Sequence, residues 1–174
     1  MFDLESINEY TKAVLASVMG EHVINMLPKG EGIEYSQKLL DLCWKCIEKW
    51  ENVEDDVLND LCDGIAPEDD INFEYYSTIS EDTTNSNIYL LFGGIASYVG
   101  AQVMIEQEEV LPQYWEVVED DDGYTECILD VVKIVNDNYF EDYKLQQVLT
   151  YCQEKQKENK NIKFSKKEIL KISF

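Results

Sequence analysis

The run IYLLFGGIASYVGAQVMI, residues 88–105, has eighteen residues and no charge, in a chain of 174 residues whose formal net charge is −22. Three structures could accept such a run: a membrane span, a phosphate-binding loop, or a helix inside a folded domain. Eighteen residues reach only the lower limit for a span. No basic flank sets an orientation, and the acidic EQEE of residues 106–109 follows directly. Gly93, Gly94 and Gly100 match neither G-x-x-x-x-G-K nor G-x-G-x-x-G spacing, and acidic surroundings oppose an anion. On a helix, Gly93, Ala96, Ser97, Gly100 and Ala101 line one side. Leu90, Leu91, Ile95, Val99, Val103 and Met104 cover the rest of the circumference. Small residues let a second helix approach closely, which must offset about 1 kcal/mol for each glycine in a helix interior. The spacing therefore predicts a central apolar helix near residues 86–107.

Outward from this segment the helical period recurs. Ser6 and Glu9 have capping-box spacing, and Ile7, Tyr10, Val14 and Val18 follow until LPKGEG at residues 27–32. Leu40, Cys43, Trp44, Ile47 and Trp50 share one face of a helix over about residues 33–52. A shorter acidic helix follows in VEDDVLNDLCDG, residues 53–64, with Gly64 as a stop signal. Residues 72–82 read as helix or strand, with helix favoured by the acids in the first turn. Beyond the apolar run, Tyr124, Ile128, Val131, Val132 and Val135 outline another helix, and Leu145, Val148, Leu149 and Cys152 one more. SKKE at residues 165–168 repeats the capping-box spacing and predicts a last short turn. The expectation is an all-α fold, a compact bundle of about six to eight helices forming a single domain over residues 1–174, with a lysine-rich C-terminal segment from about 153.

Charge is unevenly distributed. Residues 1–143 hold 6 Lys against 33 Asp and Glu, a net −27, whereas residues 144–174 hold 8 Lys against 3 Glu, a net +5. A body this acidic repels nucleic acid and anionic lipid, and draws basic partners from a distance. The lysine-rich end reads as a solvated helix end that partly neutralises its own domain. Five cysteines, an odd number, and the acidic start MFDLESINEY, with no signal-peptide pattern, point to a reducing cytoplasm.

Few motifs suggest chemistry. Cys43 and Cys46 have C-x-x-C spacing, but a zinc site needs four ligands and a redox pair a helix N-terminus, so both read as buried core thiols. His22, the only histidine, follows Val18 on an apolar face and reads as a core or boundary residue. EDDDGYTE at 119–126 lacks the register of a calcium loop. Neither a cofactor motif nor a catalytic set stands out, so the chain reads as a non-enzyme without cofactor or metal. The acidic runs are individually ordinary solvated surface, but together they imply a basic partner that relieves their repulsion. Acid and aromatic anchors coincide at Glu68, Asp69, Asp70, Tyr75 and Tyr76, and again at Tyr114, Trp115, Glu116, Glu119, Asp120, Asp121 and Asp122. Each of these aromatics could equally be an ordinary core residue.

MLPKGEG at 26–32, LLDLCWKCIEKWENV at 39–53 and IYLLFGGIASYVGAQ at 88–102 resemble the all-helical immunity proteins of bacterial polymorphic toxin systems, of the contact-dependent inhibition type. The Pro28 turn, LCW at 42–44, Trp50 and GIASYVG at 94–100 carry the resemblance, which spans roughly residues 15–120. It implies a small cytoplasmic protein that binds and blocks the toxin domain encoded beside it, and no catalytic residue is carried over. If that toxin is a nuclease, its basic cleft would suit an acidic inhibitor. The readings from other classes are a general helical adaptor and a metal-dependent enzyme with an Asp/Glu site.

Overall fold

The computed structural model describes residues 7–25, 31–65, 83–108, 110 and 142–174, of which residues 31, 32, 62–65, 83–91, 142 and 143 are described by their backbone alone. Among the described residues there are six α-helices and no strand: α1 (Glu9–Ile24), α2 (Glu31–Lys49), α3 (Asp55–Ile65), α4 (Thr83–Glu106), α5 (Asp142–Glu158) and α6 (Lys166–Ser173). A 3-10 turn over Trp50–Asn52 joins α2 to α3. The fold is all-α, as the periodicity predicts. The helix anticipated around residues 124–135 and the ambiguous stretch 72–82 lie outside the described residues.

Helix α4 is the apolar run, three residues longer at its start than the sequence pattern suggests. Phe92, Ile95, Ala96, Tyr98, Val99, Ala101 and Val103 are all essentially inaccessible, and because they point around the whole circumference, the helix must have neighbours on several sides. Those neighbours are α1, α2, α3 and the 3-10 turn. No helix among the described residues is long and apolar enough to cross a membrane.

A second helix is buried as fully. Every residue of α1 from Tyr10 to Ile24 except Lys12 is buried, including Ser17, Glu21 and His22. Its cap is Asn8, whose side chain accepts a hydrogen bond from Thr11 N at 2.8 Å, so the helix starts later than the Ser6 capping-box pattern predicts. A close helix approach is seen at Gly20 of α1. A Cβ added there would stand 2.6 Å from Leu40 Cδ2 and 3.2 Å from Ile95 Cδ1, so glycine lets α1 meet α2 and α4 at one point.

Helix α2 is amphipathic in the predicted register. Leu39, Leu40, Cys43, Trp44, Cys46 and Ile47 face the core, while Glu34, Lys38, Asp41, Lys45 and Glu48 are exposed. It ends where Trp50 takes φ of 29°, in the left-handed region that favours glycine. The indole is buried and meets Tyr10 edge-on at 5.0 Å, and this packing holds the unusual backbone in place. Helix α3 runs one residue past Gly64, which is not a stop, and carries Asp55 and Asp56 in its first turn, where they complement the helix dipole.

Helices α5 and α6 form a hairpin. Leu145, Val148, Leu149 and Cys152 of α5 are buried, as are Phe164 in the connection and Ile169 of α6. Ser165 caps α6 by accepting from Glu168 N at 3.3 Å, as the SKKE pattern predicts, but the element is a helix of 8 residues and not one turn. Tyr151 donates to Glu168, tying the two helices together. The lysine-rich segment is thus not simply a solvated end: its apolar residues belong to the same core cluster as α1 and α4.

Candidate functional site

None of the residues singled out as partner anchors, Glu68, Asp69, Asp70, Tyr75, Tyr76, Trp115, Glu116, Glu119, Asp120, Asp121 and Asp122, falls among the described residues; nor does Tyr114. Within the described part, two carboxylate-rich places stand out, one exposed and one buried.

The exposed one is the corner where α2 passes into α3. Gln107, just past the end of α4, holds the backbone of Val53 like a clasp: its Oε1 accepts from Val53 N at 2.7 Å and its Nε2 donates to Val53 O at 3.4 Å. This clasp brings the end of α4, with exposed Glu106 and Glu108, to the segment bearing exposed Glu51, Glu54, Asp55 and Asp56. Glu54, Asp55 and Asp56 and the acids Glu106 and Glu108, separate in sequence, thereby share one corner. Lys49 pairs with Glu54, and Lys163 with Glu51 at 2.8 Å, so among the described residues two of its six carboxylates have a cation partner. Ile105, 44% exposed, and Val110, 88% exposed, leave apolar surface beside these acids.

The buried one centres on Glu21. Its Oε1 accepts from Trp44 Nε1 at 3.1 Å and Gln37 Nε2 at 3.3 Å, and lies 2.6 Å from Lys166 Nζ. The same ammonium is 2.7 Å from Asp41 Oδ1. Burial opposes the charged form of Lys166, but its hydrogen bonds to Asp41 and Glu21 prevail and hold its pKa above the ordinary lysine value. The backbone N of Lys166 donates to Glu48 at 3.0 Å. One lysine therefore joins α1, α2 and α6.

The remaining titratable candidates behave as core residues. His22 stacks on Phe174 with ring centroids 3.8 Å apart. Burial first, and the nearby Lys144 second, lower its pKa to about 4 against a hydrogen bond with the Ser173 backbone, so the imidazole is neutral at pH 7. Cys43 and Cys46 are wholly buried in mid-helix, and neither they nor Cys152 is in a disulfide. Burial, and then the neighbouring Cys46, push the Cys43 thiol well above its ordinary value, whereas a nucleophile or metal ligand needs the thiolate. Among the described residues no group of three His, Cys, Asp or Glu side chains could hold a metal ion.

Sequence reasoning passed over Glu21, Gln107 and Lys166. Glu21 had a signal, since it is the only carboxylate between Glu9 and Glu31 and follows the apolar stretch of residues 13–20. Its partner, 145 positions away, had none.

A family model described as "Immunity protein Imm6" matches residues 11–136, a span that contains the segment resembling immunity proteins. No curated protein matches the chain, and no solved structure does.

Proposed function

Because the chain belongs to the Imm6 immunity protein family, we propose that it binds a cognate toxin domain in the cytoplasm of the cell that makes both and blocks it through an acidic surface, with residues 1–174 acting as one domain and without chemistry of its own. The observation that carries this reading is the family match over residues 11–136, and membership implies a toxin protein as partner.

The finer parts rest on charge. A net −27 over residues 1–143 favours a basic partner, and a nuclease is the toxin class whose active cleft must be basic, because it holds phosphates. The inhibitor's carboxylates would stand where phosphates otherwise bind. Two sequence segments combine acids with aromatic anchors: Glu68, Asp69, Asp70, Tyr75 and Tyr76, and Trp115, Glu116, Glu119, Asp120, Asp121 and Asp122. The clasped corner of Glu51, Glu54, Asp55, Asp56, Glu106 and Glu108 adds a third acidic area flanked by apolar Ile105 and Val110. Buried aromatic anchors would set the lifetime of the complex and the acids its rate of formation.

Co-expression with the toxin encoded beside the gene tests the function directly. Growth should be rescued, and failure of rescue would overturn the immunity reading. Measured on the purified pair, the association rate should fall at least about tenfold between low and high salt, as for electrostatically steered complexes. Rescue with a salt-independent association rate would keep the toxin partner and remove the acidic-surface part.

A further inference from the structure

The α5–α6 hairpin lies wholly beyond residues 11–136, the span of the family match, and it is fixed to α1, α2 and the residues flanking them. Two kinds of contact can be separated. The apolar kind is directed at α1: Phe164 is fully buried with its ring 5.9 Å from that of Tyr10, and its backbone N donates to the Tyr10 hydroxyl at 2.7 Å. The base of α5 adds hydrogen bonds from Asn8 and Thr11 to Gln156 at 3.1 and 3.2 Å. The charged kind is directed mainly at α2 and the turn after it. Lys166 Nζ lies 2.7 Å from Asp41, its backbone N is capped by Glu48, and Lys163 pairs with Glu51. Among the described residues, the Lys166 ammonium alone also reaches inside, to Glu21, whose side chain is 6% exposed.

A carboxylate so buried needs a counter-charge, and the surrounding helices supply it unequally. Trp44 and Gln37 give Glu21 neutral donors from α2. The cation comes from α6. Removing the cation leaves a buried charge that neutral donors satisfy only partly, which is far costlier than losing an exposed pair. The same residue also helps to order the first turn of α6 beside the Ser165 cap, because the residue whose side chain neutralises Glu21 is also the one whose backbone N Glu48 caps. An eight-residue helix has little stability of its own and takes what it has from such docking.

We propose that α6 is an electrostatic strap: Lys166, plugged between Glu21, Asp41 and Glu48, holds the end of the chain against α1 and α2, and screening or removing that lysine opens residues 166–174 while α1, α2 and α4 stay folded. Opening uncovers the Glu21 carboxylate and the indole N–H of Trp44. The strap draws on charge: residues 166–174 hold Lys166, Lys167 and Lys171 against Glu168, a net +2, and close against Glu21, Asp41 and Glu48. Its outer pairs, with Asp41 at 53% and Glu51 at 44% side-chain exposure, are open to ions, so closure weakens with salt before the apolar core does.

Native-state hydrogen exchange on the full chain separates strap from core. In the wild type, amides of residues 169–173 should exchange at least about tenfold faster at 0.5 M than at 0.05 M salt, through local opening, while those of α4 keep their rate. Lys166→Met should show the fast rate at both salt concentrations. Exchange of residues 169–173 in step with α4, or at a rate indifferent to salt in the wild type, would overturn the proposal. Should the variant not fold, the wild-type salt series decides alone.

Discussion

Helix α4 and helix α6 are both anchored in one core, and they get there by opposite means. The side chains of α4 from Phe92 to Ile105 carry no charge, and it meets α1, α2, α3 and the 3-10 turn mainly by shape. Helix α6 brings Ile169 to the core but is oriented by a lysine that spans three helices. Apolar packing is insensitive to salt screening and depends on volume; an ion pair depends on ionic strength and protonation. Two parts of one small chain should therefore fail under different conditions, volume changes undoing the first and ionic changes the second.

The largest effect is expected where the buried helices touch. Gly20→Leu places a side chain where even a Cβ meets Leu40 at 2.6 Å, and overpacking should lower global stability by about 3 kcal/mol, read by chemical denaturation. The loss should be the same at low and high salt. Wild-type stability in Gly20→Leu would mean that α1 and α2 have slack the close approach denies.

A smaller loss is expected on acidification. The folded-state pKa of His22 is lowered from 6.5 to about 4, so between these values the unfolded chain binds the proton and the folded chain does not. The contribution of His22 is fully present above pH 6.5 and is lost as pH falls toward 4, amounting to about 2 kcal/mol near pH 4.5. A melting-temperature series over pH 4–7 should show this slope, and His22→Phe should flatten it. An equal slope in both proteins would assign the acid sensitivity elsewhere.

The smallest effect belongs to the exposed corner. Glu54→Gln breaks the pair with Lys49, whose two side chains are 61% and 47% exposed, and should change stability by less than about 0.5 kcal/mol. Its melting temperature should be close to that of the wild type even though its association rate with a basic toxin falls. A large stability change would show that the corner is structural and weaken its reading as partner surface.

The helices were legible because their evidence is local. Leu40, Cys43, Trp44 and Ile47 announce the buried face of α2 by spacing alone, with Trp50 buried in the turn that follows, and Ser165 with Glu168 announces the start of α6. The apolar circumference of residues 88–105 identifies a helix with neighbours on several sides. Less was legible in α1. Ile7, Tyr10, Val14 and Val18 mark one buried face, but Ser17, Glu21 and His22 look like the wet side of an amphipathic helix and are buried as well. Polar residues inside a bundle are hidden from periodicity, because only their tertiary partners make burial tolerable. The acidic corner was half visible: its two runs were plain in the sequence, and the Gln107 clasp that joins them was not.

Composition and short-range pattern were enough to establish an all-helical chain, an apolar helix at its centre, and a strongly acidic body with a basic end, because each depends on residues a few positions apart or on simple sums of charge. Tertiary structure alone settled that Gly20 is where α1, α2 and α4 converge, that Glu21 is buried, and that its cation is Lys166. Contacts between residues 75 and 145 positions apart follow from how helices pack, and nothing in a helical period specifies which distant charge will complete a buried pair.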